Sequence, residues 1–171
     1  KKMKKNIYIL SEHFKKEFHG NALLSLLAAE KNFNVFIGTN RVYKKLLNEN
    51  LISPGIFHTK SISHGIEKTE LNRKLYKKKF ILTGIDEENG LIHKTDYYKI
   101  FIKSRVQIKD LNFFSAVFCW GNYDYRKFIK HLKPYKKKFI CTGSPRVDLW
   151  KKKFSKVWHN RELKKKNYIL I

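Results

Sequence analysis

Cysteine occurs twice in the 171 residues, proline three times and methionine once. Two cysteines, Cys119 and Cys141, cannot build the disulfide framework of a small secreted domain, and they form no CxxC or other metal-ligand spacing. Each sits inside an apolar run and reads as a reduced core residue. The longest apolar stretch, Ala22 to Ala29, is far too short to span a bilayer. The basic start "KKMKK" leads into "NIYIL", too short for the apolar region of a signal peptide, so a cytoplasmic protein is expected. No GxGxxG, GxxxxGK[ST] or HExxH occurs, and no nucleophile elbow supports a Ser-His-Asp order. His13 and Glu17, four apart, would share a helix face, but no full ligand set accompanies them and no metal site is expected.

Acidic residues are also scarce, 14 against 38 Lys and Arg, for a formal net charge of +24. That balance invites a nucleic-acid reading. Only six of the 38 are arginine, however, the residue whose planar fork suits phosphate and base edges. Lys, Asn, Ile, Phe and Tyr, all abundant here, share AT-rich codons, so base composition accounts for the lysines before specific nucleic-acid binding does. Peripheral attraction to an anionic membrane surface remains compatible with the charge.

What is present is a repeat of strand, polar break and helix. Hydrophobic residues make up 42% and aromatics 15%, enough for a sizeable core. "NIYIL", "NFNVFIG", "GIFHT", "KKFILTGI", "SAVFCW" and "KKFIC" read as strands, and "NYILI" as the beginning of one more. Helices are expected over about Glu17–Lys31, within "RVYKKLLNEN", and over Gly65–Lys78, Thr95–Lys103, Tyr123–Leu132 and Val147–Trp158. Short apolar strands alternating with helices predict an α/β Rossmann-like fold, a parallel sheet with helices on both faces. Right-handed crossovers put every strand's carboxyl end on one rim, where ligands bind in such sheets.

The informative residues are therefore those directly after each strand. They include Glu12, Lys60, Asp86-Glu87-Glu88, Trp120-Gly121 and "TGSPR", 142 to 146. In that last stretch Gly143 frees the backbone for a turn, Pro145 suits the first turn of a helix, and Arg146 sits near that helix's start. The stretch reads equally as an anion site or as a plain turn with Arg146 paired to a carboxylate such as Asp148.

The stretches "IYILSEHFKKEF", "LLSLLAAEKNFNVFIGTNR", "GIFHTKS", "GIDEENGLI", "FCWGNYD" and "CTGSPRVDLW" occur in an order and spacing that cover nearly the whole chain. Together they resemble the bacterial surface carbohydrate biosynthesis proteins, glycosyltransferases of the two-Rossmann-domain GT-B type. The chain departs from that pattern at Lys16-Glu17, where the family has Arg-Glu. The resemblance implies an acceptor-side domain over 1–142, with an interdomain linker and the first strand of a second, donor-side domain over 143–171. It implies a nucleotide-sugar donor as co-substrate, no further cofactor, and a glycan or lipid-linked acceptor.

Such a transferase needs one general base at the acceptor hydroxyl and cationic or helix-end stabilisation of the leaving phosphate. Glu12 is the first candidate base, with Asp86 and Glu87 as alternatives. Three adjacent carboxylates repel, so one should titrate high if partly buried. Glu17, Lys60, Glu88, Trp120, Gly121, Gly143 and Arg146 are the expected substrate-binding residues. Trp120 is expected to stack on a sugar ring or to close the core with an exposed edge. A basic binding module for nucleic acid or anionic surface, and a nucleotide-sugar epimerase of the same architecture, are the alternatives.

Overall fold

The computed structural model describes residues 5–88 and 98–154. Within them lies one six-stranded, all-parallel sheet with helices on both faces, an α/β Rossmann-like fold. The expected helix start at Thr95, the linker past residue 154 and the strand at 167–171 lie outside the described residues. The strands are β1 (Lys5–Leu10), β2 (Phe33–Gly38), β3 (Ile56–Thr59), β4 (Ile81–Ile85), β5 (Phe114–Cys119) and β6 (Phe139–Cys141). The helices are α1 (His19–Glu30), α2 (Asn40–Asn48), α3 (Ile66–Lys77), α4 (Asn122–His131) and the short α5 (Pro145–Asp148). Among the described residues no helix is long and apolar enough to cross a membrane.

The spatial order is β2-β1-β3-β4-β5-β6. The chain steps outward from β1 to β2, then returns across β1 to β3 and continues in that direction. This reversal has two consequences. It makes a switch point between the carboxyl ends of β1 and β3, the place where ligands enter such sheets. It also puts α2, α3 and α4 on the face opposite α1, because every crossover is right-handed.

The alternation of side chains follows. Tyr8, Leu10, Phe57, Leu82, Val117, Cys119 and Phe139 point to the first face, where they join Tyr43 and Leu47 of α2, Leu71 and Leu75 of α3 and Phe128 of α4 in the core. Ile7, Ile9, Ile56, His58, Thr83, Ile85 and Phe118 point to the other face, beneath α1 and α5. That second face is covered less completely. Ile81 is 51% exposed and Ile140 43%. The expectation of strands buried on both sides thus holds on the α2–α4 face of β1, β3, β4 and β5, while on the other face even the central strand β4 shows Ile81 to water. Cys141 is a further correction: it is exposed, because β6 is a three-residue edge strand, while Cys119 is buried and burial pushes its thiol up to about 12.

Local signals explain the element ends. Thr39 caps α2, its side chain accepting from the Val42 amide at 3.4 Å. Lys79 closes α3 in a left-handed conformation, φ 67°, while the Phe80 amide donates to the Leu75 carbonyl at 3.1 Å. A side chain with a Cβ is disfavoured there, so Lys79→Gly is expected to stabilise the fold by about 1 kcal/mol in urea denaturation. An unchanged or lower midpoint would contradict the strain.

Candidate functional site

The carboxyl ends of the strands carry a compact group of charges. After β1 the chain enters a short helical turn, Phe14–Phe18, that runs directly into α1. Glu17 lies on this turn, 3% exposed, and its carboxylate folds back to accept from the backbone amides of Glu12 at 2.8 Å and His13 at 3.3 Å. It thereby caps the start of its own helical run. Across the switch point, Lys60 at the end of β3 bridges to Glu17 at 2.8 Å and to Glu12 at 3.0 Å. Burial alone would raise the Glu17 carboxyl. The hydrogen bonds from Lys60 and from the two amides outweigh it and hold the group below its ordinary value. Burial would likewise lower Lys60, but its bonds to Glu17 and Glu12 hold it above its ordinary value.

The three carboxylates after β4 have three different environments. Asp86 is buried and committed to Arg105, whose Nε and Nη2 donate to its two oxygens at 3.1 and 3.0 Å. The Glu88 amide also donates to Asp86 Oδ1 at 3.0 Å. Glu88 is exposed and shares Arg105 at 3.1 Å. Glu87 stands between them, 5% exposed, with Oε2 buried and without a hydrogen-bond partner. Its amide donates to the Lys60 carbonyl at 2.9 Å, which pins the residue beside the switch point. Burial pushes its carboxyl up to about 7, against the attraction of Arg146, with Glu17 and Asp86 adding repulsion. Glu12, Glu17, Lys60, Glu87, Glu88 and Arg105 line one small polar pocket of about 90 Å³.

The remaining predicted residues lie beside this pocket. Trp120 is half-buried, donating from Nε1 to the Asp86 carbonyl at 2.8 Å, so it braces the acidic loop through its edge. The Arg146 guanidinium lies over its ring at 5.1 Å. Arg146 therefore neither pairs with Asp148 nor makes a hydrogen bond among the described residues; Asp148 pairs with Lys151 at 2.6 Å. Gly143 has φ 89°, the left-handed region that favours glycine, and its amide donates to the Cys119 carbonyl at 3.0 Å. This turn swings α5 back under α1, where Gly20 lets the backbones meet; a Cβ on Gly20 would stand 2.9 Å from the Arg146 nitrogen. Gly121 is extended at the start of α4, and a Cβ there would meet nothing within 4 Å among the described residues.

Sequence reasoning missed Arg105, which fixes two of the three loop carboxylates. Its scarcity was the available signal: arginine is rare in this chain, and Arg105 and Arg146 both reach this rim. It also missed two buried polar atoms without partners near the α1–α5 contact, Asn21 Nδ2 and Ser144 Oγ. Among the described residues no group of three or more His, Cys, Asp or Glu could hold a metal ion. No protein-family model, curated protein or solved structure matches the chain.

Proposed function

We propose that the chain is the acceptor-side part of a glycosyltransferase that moves a sugar from a nucleotide-sugar donor to the hydroxyl of a glycan or lipid-linked acceptor in surface polysaccharide biosynthesis. The observation that carries this reading is Glu87. It is a buried carboxyl with one free oxygen, titrating near neutrality, on the rim where a parallel sheet takes its ligands. The resemblance of the sequence to surface carbohydrate enzymes supports the reaction class.

Among the three candidate bases, the environment favours Glu87. Glu12 is engaged by Lys60, and both oxygens of Asp86 are occupied by Arg105. Glu87 Oε2 is buried and has no partner of its own, so it is the carboxylate oxygen left to take the hydroxyl proton of an acceptor that enters beside it. As the acceptor oxygen bonds to the anomeric carbon, its proton passes to Glu87. The bond from that carbon to the donor phosphate breaks, and the nucleotide leaves with the electron pair. Glu12, Glu17 and Lys60 form a fixed wall beside this exchange, and Arg146 supplies a cation on the Trp120 side.

The reaction is tested by expressing the complete reading frame and supplying labelled nucleotide-sugars. Transfer to an endogenous lipid or glycan fraction is expected, with kcat/KM rising with pH through an acid limb near 7, as the base loses its proton. Hydrolysis or epimerisation of the donor without transfer would remove the proposal.

A further inference from the structure

The proposed chemistry uses Glu87 and leaves its counter-charge unassigned. Charged groups face that carboxyl from several elements. Glu12 and Glu17 follow β1, Lys60 ends β3, Lys68 stands on α3, Asp86, Glu88 and Arg105 surround the acidic loop, and Arg146 comes from α5. Most of them are matched with one another. Lys60 holds Glu12 and Glu17, and Arg105 holds Asp86 and Glu88. Lys68 donates to the Ser61 and Ser63 hydroxyls at 3.3 and 2.7 Å. Arg146 has no acidic partner within hydrogen-bond reach among the described residues. Burial is the main influence on Glu87, and among the charges the attraction of Arg146 comes first, ahead of Glu17, Asp86 and Lys60.

The seat of that cation is Trp120. The Arg146 guanidinium lies 5.1 Å from the centre of the indole, whose negative face attracts a cation without neutralising it. The edge of the same ring donates from Nε1 to the Asp86 carbonyl at 2.8 Å. Asp86 precedes Glu87, and the Glu87 amide is tied in turn to the Lys60 carbonyl at 2.9 Å. One side chain therefore fixes the loop and the arginine together. The other end of Arg146 is set by α1: at Gly20 a Cβ would stand 2.9 Å from the Arg146 nitrogen and 3.1 Å from its Cα. The α1 contact decides where this side chain starts, and the Trp120 ring decides where it ends.

We propose that Trp120 is a positioning residue, whose indole holds the acidic loop by its edge and the Arg146 guanidinium by its face, so that α5 supplies the counter-charge of Glu87. The inference rests on the glycosyltransferase reading and names what governs its base. A cation held near a carboxyl favours the ionised form. Losing it therefore leaves Glu87 protonated to higher pH and moves the acid limb of transfer the same way.

The test is a carbon-13 NMR titration of the glutamate side-chain carboxyls in this chain, with Glu87→Gln assigning the Glu87 resonance by its loss. The wild-type midpoint is expected near 7. Arg146→Gln should raise it by about one pH unit, and Arg146→Lys, which keeps the charge, should restore most of the difference. Trp120→Leu should raise it as far as Arg146→Gln, because the guanidinium loses its seat. Trp120→Phe, the milder variant, keeps a ring face and loses the N–H to the loop, and should raise it less. An unchanged Glu87 midpoint in Arg146→Gln would overturn the proposal. So would an Arg146→Lys midpoint equal to that of Arg146→Gln, since charge would then not be the cause. Trp120 variants that titrate as the wild type would assign the placement of Arg146 to the α1 contact alone and overturn it equally. The expected midpoints together with wild-type sugar transfer in Glu87→Gln would remove Glu87 as the base and leave the Trp120 assignment. Transfer whose acid limb stays in place in Arg146→Gln would remove this inference alone.

Discussion

Replacing Glu87 by glutamine should slow sugar transfer by about two orders of magnitude and at the same time stabilise the fold. The two effects share one cause. Burial pushes the Glu87 carboxyl up to about 7, above its unfolded value of 4.5. An acid shifted upward costs stability as pH rises from its unfolded to its folded value, and above that the full cost remains. Glutamine carries no such cost. At pH 8 the variant should therefore gain about 2–3 kcal/mol in chemical denaturation, and the gain should fade toward pH 5. Equal stability of the two proteins at pH 8 and pH 5 would mean that Glu87 is not held in its strained ionisation. Wild-type turnover in the variant would move the base to Glu12 or elsewhere.

Lys60→Met is expected to have the opposite sign and a similar or larger size. The substitution leaves Glu17 buried without its cation, and breaking one partner from a buried pair costs about 3–5 kcal/mol. Lys60 also holds Glu12, so the β1–β3 switch point should loosen in the same step. The double variant Glu17→Gln/Lys60→Met should recover most of the loss, since no orphaned charge remains, although the amide must still cap Glu12 and His13. The wild-type pair sets its own pH window. Glu17, depressed below 4.5, contributes stability above that pH, lost as pH falls through its folded value. Lys60, raised above 10.5, contributes below that pH and loses it as pH rises through its folded value. Urea midpoints measured between these limits, for the single and double variants, decide the matter. A single variant as stable as the wild type would show the pair to be a surface contact only.

The strands and their common rim were readable because a parallel sheet buries short runs of consecutive apolar residues, and each run ends on a polar break. "NIYIL" and "FILTGI" announce themselves in this way, and Glu12, Lys60 and the acidic loop follow as rim residues. What the runs do not carry is the division of labour within the loop. Asp86, Glu87 and Glu88 are one charge pattern in sequence and three environments in space, because Arg105, far along the chain, takes the first and third. The lysine runs misled in the other direction. Read as base composition, they conceal Lys138, half-buried and donating to the Leu111 and Phe114 carbonyls at 2.7 Å each. Burial lowers that ammonium, which tethers β5 to the segment before β6. Sequence spacing leaves Arg146 open between an ion pair and an anion site; the Trp120 ring beneath it is beyond the reach of spacing arguments, since 26 residues separate them.

The unequal covering of the two sheet faces has a thermal consequence. Exposing apolar area on unfolding is what gives a protein its large heat-capacity increment and bends its stability curve. A sheet that already shows Ile81 and Ile140 to water when folded has less such area left to expose. Its curve is correspondingly shallow: cooling and moderate warming change its margin against unfolding less than they would for a sheet sealed on both sides.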